Sequence, residues 1–273
     1  MVAVVDSDTE EQGFKARSSL EITLSVWKAL FLREALSRLF ASRTSMIWLF
    51  FEPVFHMSYM LLIFAVIRVR VIGGIDTMVW LLAGMLPFIL FRRTASQTSI
   101  AVDSNQALFT YRQVKPVDTI FVRAGLEFFI LLIVAGLLFF GVFMVGHGMA
   151  PADPLTAILA VIGVWLCGLG WGLVASVGQG IVSELGNVNN MLMMPLYFLS
   201  GAIVPVAQIP PQYQELLLLN PLVHGLEASR HAFSAYYYAI PGVSLAYLYG
   251  CALCLIFLGL ALHRRFALKL TTQ

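Results

Sequence analysis

Long apolar runs separated by short polar turns dominate this chain. Most of the runs are long enough to cross about 30 Å of hydrocarbon as a helix. The predicted spans are 46–67, 77–104, 118–146, 155–182, 188–204 and 243–262. Since a bilayer leaves no partner for unpaired backbone groups, runs of this kind must be helical. The pattern predicts an all-α membrane protein with six transmembrane helices.

Two segments depart from the spanning pattern before the first run. Residues 1–18 are polar and are predicted to form a flexible N-terminus. Residues 19–43 carry apolar side chains at helical spacing, interrupted by Lys28, Arg33 and Arg38. This predicts an amphipathic helix in the membrane surface, an interface helix; a soluble helix packed on a partner subunit is the alternative. Residues 44–273 then form a single transmembrane domain.

The hairpin segment, residues 205–239, is too apolar for a free loop and too broken for a span. Its prolines include Pro205, Pro210 and Pro221, and they predict two short helices at Glu215–Leu219 and Leu222–Phe233. Irregular backbone at membrane depth is tolerated where protein or a water-filled cavity surrounds it. We therefore predict a re-entrant helical hairpin before the last span.

Composition and charge agree with a membrane location. The chain is 59% hydrophobic and 12% charged, about half the charged fraction of soluble domains. Its net charge of +2 gives no indication of a nucleic-acid partner. By the predicted topology, fourteen of the seventeen Lys and Arg residues fall on one side, and only Arg68, Arg70 and Arg230 fall on the other. The positive-inside rule then places both termini and the connection at 105–116 in the cytoplasm, and the hairpin segment outside.

Few motifs in the chain carry enzyme chemistry. No phosphate-binding P-loop is present, so the sequence does not predict ATP binding of that kind, and we expect no metal or cofactor. The glycines near Gly170 and Gly172 fit a dinucleotide fingerprint by letters, but they lie inside a span and favour close helix packing. His224, Glu227 and His231 share a helix face; a polar network that fixes the hairpin is favoured over a metal site.

Polar and aromatic side chains in the first two spans are the candidate substrate contacts. Arg92 lies about 24 Å along the second span from Asp76, at membrane depth. The candidate channel residues are Arg92, Arg93, Gln97, Trp48, Phe51, Phe55 and Tyr59. The arginines either line a path for an anionic substrate or extend to lipid phosphates. The aromatic residues either stack on sugar rings or contact lipid. Glu52 and Glu127 either carry protons or pair with basic residues.

Three features together resemble one family. The first is the order of elements: surface helix, six spans, and a hairpin before the last. The second is the segment from Asn105 to Thr119, NQALFTYRQVKPVDT. The third is SGAIVP at 200–205 together with NPLVHGLEASR at 220–230. With these features the chain resembles the permease subunit of bacterial ABC transporters that export capsular polysaccharide.

The resemblance implies roles for two segments and a set of partners. It implies a homodimer with two copies of a cytoplasmic ATPase, which would bind ATP and Mg²⁺. It implies that the coupling segment, residues 105–116, docks on that ATPase; the residues concerned are Asn105, Tyr111, Arg112, Gln113, Lys115 and Pro116. It implies that the hairpin caps the outer end of the channel; the residues concerned are Pro205, Asn220, Pro221, His224, Glu227 and Arg230.

The resemblance also implies a location and a cargo. The expected location is the bacterial inner membrane. The expected cargo is a lipid-linked anionic polysaccharide, passed on to a periplasmic co-polymerase or adaptor and an outer-membrane export protein. Related permeases move O-chains, teichoic acids or small drugs, so another glycan remains an alternative cargo. Two other classes stay open: a proton-coupled carrier using Glu52 or Glu127, and a membrane enzyme using His224, Glu227 and His231.

Overall fold

The computed structural model describes residues 18–40, 44–66, 71–148, 150–234, 236–238 and 240–271. The helices are α1 Ser19–Phe40, α2 Ser45–Val66, α3 Thr77–Ser99, α4 Pro116–Met144, α5 Pro154–Ile181, α6 Leu185–Leu199, α7 Pro211–Leu217, α8 Pro221–Phe233, α9 Leu245–Arg265 and α10 Ala267–Thr271. Two-residue strands β1, Val71–Ile72, and β2, Ile75–Asp76, pair antiparallel. Short 3-10 helices cover Asp103–Thr110 and Val206–Gln208.

Five of the described helices are long and apolar enough to cross a membrane: α2, α3, α4, α5 and α9. This confirms the all-α membrane class. The predicted span at 188–204 corresponds to α6, which has 15 residues and a length of about 22 Å. It ends at Ser200 because Gly201 takes a positive φ of 73° and turns the chain. Alone, α6 is therefore shorter than the hydrocarbon thickness.

Helix α3 lies at the centre of the bundle. In its most apolar 18-residue stretch, 83% of the residues are buried inside the protein, whereas the same share is 17% in α2 and 17% in α9. This burial also covers several of the polar residues that follow Arg93. Thr94, Thr98 and Ser99 are buried, and the Thr98 hydroxyl donates to the Thr94 carbonyl at 2.6 Å. The Thr98 and Ser99 hydroxyls bond to carbonyl oxygens of α3 itself, whereas the buried Thr94 hydroxyl has no hydrogen-bond partner among the described residues.

Glycines of α5 allow α3 and α9 to approach closely. A Cβ atom at Gly168 would lie 3.0 Å from the Phe91 carbonyl oxygen of α3, and one at Gly172 would overlap Thr98. On the other side, a Cβ atom at Gly170 would lie 2.7 Å from Leu255 of α9. These contacts agree with the packing role predicted for the glycines.

Side-chain caps fix where the helices begin. The Asp76 carboxylate accepts from the Met78 backbone N–H at 2.9 Å at the start of α3, and Asn220 caps α8 in the same way. The Asp118 carboxylate accepts from the Lys115 N–H at 2.9 Å and completes a capping box at α4. These groups satisfy backbone donors that have no partner in the first turn.

The hairpin segment contains α7 and α8. Helix α7 begins four residues before its predicted start, because Pro211 occupies its first turn, and ends two residues before its predicted end, while α8 agrees with the prediction to one residue. Ten of the thirteen residues of α8 are buried, and α8 packs on α3 and α5. After α8, the Tyr238 N–H donates to the Gly73 carbonyl in the β1–β2 turn at 3.3 Å.

The coupling segment is helical over only part of its predicted length. The 3-10 helix ends at Thr110, and Tyr111 is extended, with φ −83° and ψ 112°. Lys115 is extended because Pro116 follows it and begins α4. Residues 1–17, Arg43, Arg68 and Arg70, on which parts of the N-terminal and orientation predictions depend, lie outside the described residues.

Candidate functional site

An ion-pair network joins α1 to α3 and α4. At its centre is Glu127 of α4, whose side chain is fully buried. Its carboxylate contacts Arg38 of α1 through one oxygen and accepts from the Arg93 Nε through the other, at 2.9 Å. Because one carboxylate pairs with cations from two other helices, it fixes the surface helix against the bundle.

Two further residues extend this network. Glu34 of α1 lies 2.7 Å from the Arg123 Nη2 of α4 and 3.1 Å from Arg38. The Gln97 side-chain oxygen accepts from the Arg38 Nη2 at 3.1 Å, and the Gln97 carbonyl accepts from Arg123 at 3.2 Å. The side chain of Gln97, a predicted channel residue of α3, thus contacts α1.

Arg92 and Arg93 have different surroundings although they are adjacent in sequence. Arg93 pairs with Glu127, and its Nη1 lies 3.7 Å from Glu52. Within the described residues Arg92 forms no hydrogen bond or ion pair, and it is half-buried. The sequence predicted one role for both arginines, whereas the structure separates them.

Aromatic side chains form an exposed stripe on α2. Trp48, Phe51, Phe55 and Tyr59 are each 45% to 61% exposed. The Phe51 ring lies 5.5 Å from Trp48 in an edge contact and 5.3 Å from Phe55 in a stacked one. The stripe presents a continuous aromatic face about 16 Å long on the open side of α2. Such a face suits sugar rings, lipid or a second subunit.

The coupling segment presents polar residues at one end of the bundle. Tyr111, Arg112, Gln113 and Lys115 are exposed, and Pro116 is half-buried at the start of α4. Asn105 is instead buried; it donates to the Ala101 carbonyl at 2.8 Å and accepts from Arg33 of α1 at 3.1 Å. Trp27 of α1 donates to Asp118 at 2.9 Å. Helix α1 therefore forms one hydrogen bond before and one after this exposed segment, at Asn105 and Asp118.

Arg230 anchors α8 to α3. Its guanidinium lies 3.7 Å from the Trp80 ring centroid, donates to Glu227 at 2.7 Å and donates to the Ala202 carbonyl at 3.0 Å. Arg230 is fully buried, and Gly84 leaves the space that it occupies, since a Cβ atom there would overlap the guanidinium. We refer to Arg230, Glu227, Trp80 and Tyr237 as the hairpin lock.

Tyr237 completes the hairpin lock. Its hydroxyl donates to the second Glu227 oxygen at 2.7 Å. Burial raises the pKa of Tyr237 well above its usual value, so the hydroxyl keeps its proton. His224 is occupied separately: its Nε2 lies 2.7 Å from the Leu218 carbonyl, and its Nδ1 accepts from the Ser244 N–H at 2.9 Å. These bonds agree with the predicted polar network that fixes the hairpin.

Other predicted hairpin residues lie at its turns. Pro205 precedes the short 3-10 helix, and Pro221 follows the cap residue Asn220 at the start of α8. The Asn220 side-chain nitrogen also donates to the Leu199 carbonyl at the end of α6, at 3.3 Å. Sequence reasoning missed Trp80, Gly84 and Tyr237. Trp80 lies 150 residues before Arg230 and Gly84 is close to Trp80 in sequence, so the chain gives no sign of their proximity to Arg230; Tyr237 follows Arg230 closely, but no motif indicates its bond to Glu227.

The chain is similar to known proteins over most of its length. The family model described as ABC-2 type transporter matches residues 25–234. A polysialic acid transport protein, KpsM, of Escherichia coli is 39% identical over 91% of this chain and 96% of its own length. A capsule polysaccharide export inner-membrane protein, CtrC, of Neisseria meningitidis serogroup A is 29% identical over 91% and 94%. A further such protein, BexB of Haemophilus influenzae, is 26% identical over 94% and 97%.

Proposed function

The chain belongs to the ABC-2 type transporter family, and on this basis we propose that it is the membrane subunit of an ATP-driven exporter of capsular polysaccharide. The observation that carries the proposal is end-to-end similarity to proteins named for polysialic acid transport and capsule polysaccharide export. The spanning helices and the names of the relatives together support a multi-pass location in a bacterial inner membrane.

The energy source in this proposal is a separate subunit. The sequence has no P-loop, so ATP and Mg²⁺ bind to a partner ATPase, present in two copies, and this chain is not itself an enzyme. The exposed residues from Tyr111 to Lys115 offer that partner aromatic, amide and cationic groups. Both termini and this segment face the cytoplasm, as the distribution of Lys and Arg indicates.

The proposed topology has six spans and a re-entrant hairpin. Helix α6 and the turn after it form the fifth span, and α7 and α8 form the hairpin on the periplasmic side. The contact between Arg230 and Gly84 supports this reading. Gly84 lies seven residues into α3, or about 10 Å from its start, so α8 packs below the end of a spanning helix.

The transport path in this proposal lies between two copies of the chain. The aromatic stripe of α2 and Arg92 face it, and Arg93 and Gln97 stand behind it in the ion-pair network. Helices α2 and α6 border the path, since many of their large apolar side chains are left exposed within one protomer. A periplasmic adaptor and an outer-membrane protein would receive the lipid-linked polymer.

A chain of described contacts suggests how ATP binding reaches the path. Closure of the ATPase subunits displaces the coupling segment. The Asn105–Arg33 and Trp27–Asp118 bonds pass this displacement to α1. The pairing of Arg38 and Arg93 with one Glu127 then passes it to α3. The path opens and the polymer advances.

Deletion of the gene in its native host tests the proposal. We expect surface polysaccharide to disappear and polymer to accumulate inside the cell, with both effects reversed by a plasmid copy. A second measurement is the isolation of the tagged chain in mild detergent, which should recover an ATPase in equal amount. Loss of the polymer from inside and outside alike would instead indicate a role in synthesis. Normal surface polysaccharide in the deletion strain contradicts the proposal.

A further inference from the structure

Arg92 is a cation at membrane depth whose side chain has no partner among the described residues. It follows Phe91 of α3, on the turn after Phe88, about 24 Å from the start of the helix. Its neighbour Arg93 has Glu127 at 2.9 Å, whereas Arg92 forms no ion pair or hydrogen bond with any described residue. Adjacent residues of a helix point about 100° apart, so the two guanidinium groups reach different surroundings.

Two polar side chains lie close to Arg92 on the open side of α3. His56 of α2 and Tyr197 of α6 meet across this side, with the His56 Nε2 3.3 Å from the Tyr197 hydroxyl. The Tyr197 ring lies 4.8 Å from Phe88. Phe88 and Arg92 are four residues apart on α3 and are therefore neighbours on its surface, and the charge of Arg92 is close enough to influence both His56 and Tyr197. One guanidinium, one imidazole and one phenol therefore lie where α2, α3 and α6 meet.

A guanidinium without a partner among the described residues is available to bind an anion from outside the chain. Ionisable groups at membrane depth are costly and are found facing a partner or a water-filled cavity. Acidic residues are available nearby, but Glu127 is bound on both oxygens to Arg38 and Arg93. Glu52 also acts on His56, but its carboxylate is 66% exposed and lies beside Arg93, so neither of these two carboxylates binds the Arg92 guanidinium.

We propose that Arg92, His56 and Tyr197 form an anion-binding subsite that takes a carboxylate or phosphate oxygen. Arg92 supplies the charge and two parallel donors, and the imidazole and phenol supply further hydrogen bonds. The inference rests on the proposed function, because the acidic groups of an exported polymer are one source of the anion. The phosphate of an inner-leaflet lipid is the other source of the same chemistry.

The test uses the full chain in nanodiscs and two probes. The first is a sialic acid hexamer, compared with the same hexamer after reduction of its carboxyl groups. The second is phosphatidylglycerol, measured as lipid retained on the protein by native mass spectrometry. The variants are Arg92→Gln, Arg92→Lys and Tyr197→Phe, and Lys28→Gln is the control for loss of a cation at an exposed position on α1.

For the polymer as the source, we expect Arg92→Gln to weaken hexamer binding about 10- to 100-fold, as loss of a charge-assisted pair predicts. Arg92→Lys should retain part of the affinity for the hexamer, and Tyr197→Phe should lose several-fold. Lys28→Gln should bind the hexamer as the wild type does, and the reduced hexamer should bind equally to wild type and Arg92→Gln. Loss of retained phosphatidylglycerol in Arg92→Gln, with hexamer binding unchanged, assigns the subsite to lipid.

Two results separate failure of the subsite from failure of the function. Equal binding of hexamer and equal retention of phosphatidylglycerol by wild type and Arg92→Gln overturn the subsite, whatever the cargo. Normal surface polysaccharide after deletion of the gene overturns the exporter function, and a lipid subsite at Arg92 would survive it. Circular dichroism and gel filtration of each variant establish that the compared proteins are folded.

Discussion

Arg93 of α3 and Arg38 of α1 bind opposite oxygens of one buried carboxylate, that of Glu127. The bond between a surface helix and a spanning helix therefore passes through a residue of a third helix. Glu127 is the critical member of this arrangement, because its removal takes the shared anion from both arginines, whereas removal of one arginine leaves Glu127 paired with the other.

The first prediction concerns Glu127→Gln. This change leaves the two arginines without their shared anion, and we expect it to lower the free energy of unfolding by about 3 kcal/mol. Thermal unfolding in detergent measures the effect, and cleavage by added protease should show α1 released. Glu52→Gln is the matched control, since Glu52 is 66% exposed and 3.7 Å from Arg93, and should cost less than about 1 kcal/mol. Equal effects of the two changes would contradict the central role of Glu127.

The hairpin lock gives a second prediction. Arg230→Met leaves Glu227 as a buried, unpaired carboxylate beside Tyr237, and we expect a loss of about 3 kcal/mol. The double change Arg230→Met with Glu227→Gln should recover part of that loss, because the uncompensated charge is gone. The measurement is thermal unfolding together with limited proteolysis of residues 205–239. Additive losses in the double variant would show that the two residues act independently.

A third prediction tests close packing of α5 on α3. A Cβ atom at Gly172 would overlap the Thr98 side chain, so Gly172→Ala should destabilise the protein by about 1–3 kcal/mol. At Gly125 of α4 a Cβ atom would meet nothing within 4 Å, and Gly125→Ala should be neutral or slightly stabilising. Denaturation in detergent compares the two. A neutral Gly172→Ala would refute the tight approach of the helices.

The exposed coupling residues give a fourth prediction. Arg112→Ala with Lys115→Ala should leave thermal unfolding unchanged, since both side chains are exposed and unpaired within the described chain. Export should fall, and ATP hydrolysis by the purified complex should lose its dependence on polymer. Arg264→Ala, at an exposed cation of α9, serves as the control and should retain both. Normal coupling in the double variant would remove the docking role from this segment.

The sequence predicted the helices well because length and apolar content determine them locally. The bounds of α2, α4, α5 and α9 agree with the predicted spans to within three residues. The exceptions have local causes that periodicity does not detect. Gly201 ends α6 with a positive φ, and the coupling helix ends at Thr110 because Tyr111 is extended, while Pro116 separately keeps Lys115 extended.

The candidate site was less predictable because the role of each residue depends on contacts with residues far along the chain. The spacing of Glu227 and Arg230 was visible in the sequence, but the Trp80 ring and the space at Gly84 were not. Arg92 and Arg93 are identical in type and adjacent, and only the position of Glu127 distinguishes them. Side-chain partners across helices are a property of the fold, so a single sequence leaves them open.

The burial of α3 has a consequence for how the protein is made. This helix has the lowest mean hydropathy of the five long apolar helices, 1.3, and its polar face is covered by α4, α5 and α8, all synthesised later. A segment that is only weakly hydrophobic partitions poorly from the translocon into lipid by itself. We expect a nascent chain truncated at residue 104 to integrate inefficiently, and one extended beyond Phe233 to integrate fully. Biogenesis of this subunit then depends on later helices to retain an earlier one.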